Sequence, residues 1–370
     1  MKKELKYSLM LLFAIHCMTV SYAGDTIRHS DGKDFRKVIS KKFTVSPSTK
    51  LTLNNRYGKI EIVEGIQNEV QCEITIIAME NSQSKAQKTL DRISIDFQHS
   101  TDFLSVQTYI EENNSWFSWG SECNNMEINY KIIMPTNLNM DITHKYGDII
   151  MPNFFGKLNI GLGYGHLVAS DFNKDADLDI KYSEARIGCA KNIAIDFSYS
   201  QLQLSSCDNL RIDGKYSEYE IGHARNITAT SKYSEYHCVT ADNLTFDGAY
   251  DHVNLGEIDN INLQNKYGEL TIDRLLGNLV VKASYNECEI KGLGTKASNL
   301  KFSGDYSNIT INSPAAYQYN ISGKYLSTDI KGGNDDQDED GHVTVIKGSK
   351  GSGGKAMIYI EGNYLEVTLK

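Results

Sequence analysis

The chain has 370 residues, 40% of them hydrophobic and 23% charged, with a formal net charge of -9. A chain of this length can bury a core without metals or disulfides, and so acidic a surface lacks the basic footprint of a nucleic-acid binder.

The first residues, MKKELKYSLMLLFAIHCMTVSYA, combine the basic start Lys2, Lys3 and Lys6, an apolar stretch from Leu9 to Ile15, and small residues at Ser21 and Ala23. This pattern predicts a secretory signal peptide over 1–23, cut before Gly24. Cys17 invites a lipoprotein reading, but His16 before it is a poor fit to the small residue such a site requires. Removing Lys2, Lys3, Lys6 and Glu4 takes the charge from -9 to -11. No later segment reaches the ~20 apolar residues of a membrane span. The expected location is exported: periplasm, outer surface or extracellular.

Residues 24–140 read as an N-terminal β-rich capping module with one helix. LTLNNRYGKIEIVEG, EVQCEITIIAM, RISIDFQH, FLSVQTYI and MEINYKIIMP alternate as strands. Ser82 is placed to cap a helix with Ala86, Leu90 and Ile93 on one face. The loop at 113–123 holds both tryptophans, Trp116 and Trp119, which either pack beneath the module or form an aromatic contact tip with Phe117.

From residue 141 onward a repeat dominates. Tyr146, Tyr164, Tyr182, Tyr199, Tyr216, Tyr233, Tyr250, Tyr267, Tyr285, Tyr306 and Tyr325 recur at spacings of 17 to 21, with Tyr57 and Tyr364 as outlying copies. Within a unit, Ala185 and Ile187 share one side of a strand and Tyr182, Glu184 and Arg186 the other. A second short strand carries Ile193 and Ile195 on one face. Two strands and two turns in seventeen residues fit neither a propeller blade nor a helical repeat. They predict an all-β fold, a single-stranded parallel β-solenoid of ~17–18-residue coils.

A second column, Asn192, Asn209, Asn226, Asn243, Asn260, Asn278 and Asn299, precedes the second strand. Stacked coils would set these amides ~4.8 Å apart, in reach of a hydrogen-bonded ladder, and Asn tolerates the left-handed backbone a corner can require. The residues before them (Lys191, Asp208, Arg225, Asp242, Asp259) read as weak register pairs. Towards the C-terminus, 331–355 reads as a hairpin-like insertion, and Tyr364 to Leu369 as the closing segment. Within the insertion, Asp336, Asp338, Asp340 and Gly341 match the first half of a calcium loop; Lys347 stands where the bidentate Glu belongs. A solvated loop is the competing reading.

Six cysteines remain after cleavage, without CxxC or Cys/His clustering, so zinc is unsupported. Cys189 and Cys207 fall at nearly the same place on successive coils, close enough to bridge. Cys238 and Cys288 read as buried core thiols.

LNNRYGKIEI at 53–62, INYKIIMPTNLNMDITHKYGDI at 128–149 and the units that follow resemble the putative adhesin family of secreted bacterial β-solenoids, common in gut Bacteroidetes. The resemblance implies that fold and an adhesive surface. This chain departs from the family's Gly-rich coils by carrying Tyr-Ser-Glu.

No nucleophile elbow, P-loop, HExxH or dinucleotide fingerprint is present. The column Glu184, Gln201, Glu218, Glu235, His252, Glu269, Glu287 repeats along the rod instead of marking one place, which argues for a surface and against an active site. The expectation is therefore a non-enzymatic binding or adhesion module without a cofactor. Its partner would be a cell-surface glycan or protein, held by Tyr182, Tyr199, Tyr216, Tyr233, Tyr250 and Tyr267. The alternatives are a purely structural envelope component and a polysaccharide-active β-helix enzyme.

Overall fold

In the computed structural model, the residues described are 23–29, 34–111, 125–313, 316–340, 343–352 and 355–370. The centre of the molecule is a parallel β-solenoid, as the seventeen-residue period requires. Glu184–Ser198, Gln201–Lys215, Glu218–Lys232, Glu235–Ala249 and His252–Lys266 each form one coil and pair in parallel, residue for residue, with the coils on either side. Ala185 and Ile187 point inward from one half-coil, and Ile193, Ile195 and Phe197 from the other. Alternation delivers these side chains to one core, because successive residues of a strand face opposite ways.

Each coil turns at two corners with different tolerances. Between Gly163 and Glu287 the tyrosine corner always places two residues between strands, as at Tyr182-Ser183 and Tyr216-Ser217. The asparagine corner absorbs every insertion there. Ile258 and Ile261 face Leu275 and Leu279, so that coil carries one extra residue at that corner. The spacing of 18 between Tyr164 and Tyr182 has the same origin, since Phe172 to Asp175 faces Ala190 to Asn192.

Both ends are non-contiguous in sequence. At the N-terminal end β1 (Ala23–His29), β2 (Asp34–Thr44), β3 (Lys50–Glu64), β4 (Glu69–Met79), β5 (Ile93–His99), β6 (Phe103–Ile110) and β7 (Met126–Met134) precede β8 (Asn139–Met151). β3 pairs in parallel with β8, and Tyr57 stacks on Tyr146 at 5.3 Å, so β3 is itself a coil. Its outer edge is covered in two halves, by β6 from Lys50 and by β7 from Ile60. Antiparallel strands extend each half outward, β5 from β6, and β4, β2 and β1 in turn from β7. The helix α1 (Gln83–Asp91) buries Ala86 and Leu90, as its spacing predicts. Two details differ from the sequence reading: Ser82 makes no side-chain cap, and Ile93 opens β5.

At the other end Tyr364 to Leu369 does not close the rod. Ala356–Glu361 and Leu365–Leu369 lie between the coil of Asn299–Ile311 and that of Tyr317–Ile330, pairing in parallel with both. The ring order is accordingly Tyr306, Tyr364, Tyr325. The outermost coil is covered over Tyr317–Gly323 by an antiparallel hairpin of Val343–Lys350 and Gly333–Asp340.

Candidate functional site

All thirteen tyrosines of the column have positive φ, between 52° and 62°. Left-handed backbone is uncommon outside glycine and costs free energy in an aromatic residue, so neighbours must compensate. The sequence reading gives asparagine as a residue that tolerates that conformation; among the described asparagines only Asn68, outside the ladder, adopts it. The left-handed turn throws each tyrosine off the corner onto its neighbour. The rings stack from Tyr57 to Tyr325 with centroids 4.6–5.3 Å apart and planes within 17° of each other. Parallel offset pairs at such separations are favourable, each worth roughly 0.5–1.5 kcal/mol beyond area burial.

In the central coils the serine after the tyrosine holds the corner from inside. Ser200, Ser217 and Ser234 are buried. Ser217 Oγ donates to its own chain at Lys215 O (2.9 Å) and accepts from Ser200 N in the next coil (3.2 Å). Ser183, Ser200 and Ser234 repeat the pattern. Lys-Tyr-Ser-Glu is thus a corner motif in which Tyr supplies the outer stack and Ser the inner ladder.

The inner column is serine in the four successive coils from Ser183 to Ser234, and Gly165, Asp251, Gly268 and Asn286 occupy it on either side. Asp251 takes the place of serine, fully buried, with Oδ1 accepting from Ser231 Oγ (3.0 Å) and Ser234 N (2.9 Å). Its Oδ2 and Asn265 Oδ1 have no hydrogen-bond partner, and burial pushes the carboxyl up to about 6. Gly248 makes room for it, since a Cβ there would lie 2.3 Å from Oδ2. Gly214 does the same for the inward phenol of Tyr219, which stacks on buried Tyr236. The column reading of the sequence passes over this polar seam, although Asp251 breaks a serine column and would have signalled it.

Outside, the rings are about half exposed, and Tyr325 reaches 71%. Because each ring lies on its neighbour, inner rings offer edges and hydroxyls instead of open faces. Tyr182, Tyr199, Tyr216, Tyr233, Tyr250 and Tyr267 fall in this stretch, brought together as the sequence expects. Arg56 lies over the Tyr57 ring, 5.6 Å from its centroid. One side of the ridge carries the column Glu184, Gln201, Glu218, Glu235, His252, Glu269, Glu287, in strict register. Between this column and the rings runs a shallow trough of about 980 Å³ from Tyr164 to Tyr250. The other side carries Lys145, Lys215, Lys232 and Lys266, which make no ion pair or side-chain hydrogen bond among the described residues.

The asparagine column forms the expected ladder over most of its length. Nδ2 of Asn209, Asn226, Asn243, Asn260 and Asn278 donates to the Oδ1 of the preceding member at 2.8–3.3 Å. Asp175 accepts from Asn192 at one end, and at the other Ser298 Oγ takes the place that Asn299 was expected to fill. Arg225 pairs with Asp208.

The remaining sequence candidates separate. Trp116 and Trp119 lie outside the described residues. Asp336, Asp338 and Asp340 belong to the strand Gly333–Asp340, so the backbone is extended and paired where both the calcium reading and the solvated-loop reading need a loop; the side chains of Asp338 and Asp340 lie outside the described residues. Cys189 and Cys207 do not bridge. Their positions are offset by one, Cys189 facing Ser206 and Cys207 facing Ala190, which puts one thiol outside and the other in the core. Cys238 and Cys288 are buried thiols, each pushed up to about 12 by burial.

No known family profile matches the chain, and no curated protein does. Among solved structures, a putative cell adhesion protein from Clostridium sporogenes is 11% identical, with 90% of this chain and 100% of that one covered and a TM-score of 0.19. A putative adhesin from Bacteroides fragilis is 13% identical, covering 75% and 97%, with a TM-score of 0.31. A putative lipid binding protein from Parabacteroides distasonis is 13% identical, covering 75% and 96%, also at 0.31. Overlaps this weak carry no argument about what this chain does. Among the described residues no helix is long and apolar enough to cross a membrane.

Proposed function

We propose that this protein is an exported, non-enzymatic binding module that holds an elongated cell-surface glycan or protein along its tyrosine ridge. The observation that carries the reading is the contrast in hydrogen bonding between the two corners. The asparagine ladder uses its donors and acceptors on itself, whereas on the ridge Lys181 pairs with Asp179 but Lys145, Lys215, Lys232 and Lys266 have no protein partner among the described residues. Carboxylates repeat along the rod without converging, which supports a surface over an active site. With ring faces covered, a glycan would be gripped by ring edges and hydroxyls in the trough instead of by stacking on a flat platform. Six rings from Tyr182 to Tyr267 extend over ~24 Å at the usual strand spacing, so a partner spans several coils. The test is Tyr216→Ser combined with Tyr233→Ser, scored for retention on a glycan array and on bacterial surfaces and for melting temperature. Lost retention with a fold that still melts cooperatively is the expected result. Intact retention with a large fall in melting temperature would make the ridge structural.

A further inference from the structure

Between Tyr146 and Tyr285 the two charged stripes that flank the ridge are matched coil by coil. Lys145, Lys181, Lys215, Lys232 and Lys266 each precede a tyrosine, and the same coils carry Asp148, Glu184, Glu218, Glu235 and Glu269 two residues after it. Where lysine gives way to Gly163, Ser198 or Ala249, the acid gives way to His166, Gln201 or His252; within this stretch only the coil with Ser284 and Glu287 keeps an acid without a lysine, and the match ends outside it, at Arg56 with Lys59, Lys324 with Ser327, and Asn363 with Glu366. Lys215 and Glu218 lie on opposite sides of the ring, and Lys215, like Lys145, Lys232 and Lys266, has no ion-pair partner among the described residues. Cross-ridge pairing within a coil therefore does not explain the match.

Resting on the reading of the ridge as an interaction surface, we infer that its partner is a second copy of this chain, packed ridge to ridge and parallel. The symmetry follows from the order of the stripes. A two-fold axis along the rod sets one copy's lysine stripe against the other's acid stripe; a two-fold across the rod would set lysine against lysine. In an isologous contact each pair occurs twice, so Lys215 meets the partner's Glu218 and Glu218 meets the partner's Lys215. With no axial shift, charged coils meet charged coils and uncharged meet uncharged, which accounts for the coil-by-coil match. From one coil to the next the ridge keeps its direction closely, since neighbouring rings from Tyr57 to Tyr285 differ by at most 12°. From Tyr146 to Tyr285 the contact is ~38 Å long at the strand spacing, with phenol edges and hydroxyls meeting along the middle. Exposed ion pairs are individually weak and screened by salt, so the association is modest and salt-sensitive.

The test is sedimentation equilibrium of the full exported chain at protein concentrations on the order of 100 µM, the range for a narrow, largely polar interface, in low and in high salt. The wild type should dimerise and dissociate as salt rises. Lys215→Glu with Lys232→Glu, and separately Glu218→Lys with Glu235→Lys, should each be monomeric, and an equimolar mixture of the two should associate again, which also shows that both are folded. A variant carrying all four exchanges should pair with itself and not with the wild type, because only antiparallel packing would match those two. A wild type that stays monomeric in low salt, or a mixture that fails to associate, overturns the inference. Retention of the Tyr216 and Tyr233 variant on heterologous surfaces is read separately, so the ridge can fail here and still bind another partner.

Discussion

The two corners of the solenoid solve the same problem with opposite economies. At the asparagine corner the amides hydrogen-bond to one another, the backbone is unstrained, and the loop varies in length from coil to coil. At the tyrosine corner the length is fixed between Gly163 and Glu287, every column tyrosine is left-handed, and serine and ring ladders compensate on the two sides. A corner that only joins strands can vary. A corner held constant at the cost of strain has its side chains placed at a fixed pitch.

The largest break in this comparison comes from length. One residue inserted between Glu218 and Ile221 would send the inward set of that half-coil to solvent, since side chains alternate. The same residue inserted between Ala224 and Arg225, at the tolerant corner, should be absorbed. Thermal unfolding should show the first variant failing to fold or melting more than ten degrees lower, and the second within a few degrees of wild type. Equal losses would contradict the register.

A smaller effect concerns the buried carboxyl. Asp251 holds its proton more tightly folded than unfolded, about 6 against 3.8. The stability that its neutral form contributes is present below about pH 4 and is lost as the pH rises through about 6. His144, buried between the carbonyls of Asn55 and Gly58 and pushed down by burial, acts in the opposite sense, so the effect must be read as a difference between variants. Asp251→Asn keeps the shape without the charge, and Asn286 already occupies the same column position. Its melting temperature should exceed that of wild type by several degrees at pH 7.5, with the gap narrowing as the pH falls through 6 and closing below about pH 4. A gap independent of pH would remove the carboxyl from the account.

The smallest effect sharpens the contrast itself. Asn226→Ala with Asn243→Ala removes exposed hydrogen bonds and should lower the melting temperature by a few degrees, leaving retention and self-association untouched. If partner binding fell with this pair instead of with the tyrosines, the roles of the corners would have to be exchanged.

The solenoid was legible because a period of seventeen with period-two alternation inside it leaves few folds, and the asparagine ladder followed from spacing alone. Other features depend on backbone geometry that residue identity does not encode. Tyrosine is a poor left-handed residue, so propensity pointed to asparagine, and the ring stack that compensates appears only once coils are superposed. Parity placed the tyrosines outside but could not show that their faces would be covered. The C-terminal segment carries the same signature as every other coil, so nothing local shows that 356–369 lies between coils 299–311 and 317–330. Cys189 and Cys207 differ by eighteen where the coil period is seventeen, and that single residue decides which side each thiol faces.

The fixed tyrosine corner also bears on how such a gene can change. In the central coils every unit begins and ends at the same geometric point, so an in-frame duplication of one seventeen-residue segment joins onto its neighbours without adjusting either end structure. Each such event would lengthen the rod by ~4.8 Å, the strand spacing, and add one ring to the stripe. Reach and the number of ridge tyrosines are thereby set by a single heritable integer, which unequal recombination changes while each coil keeps neighbours of the same kind.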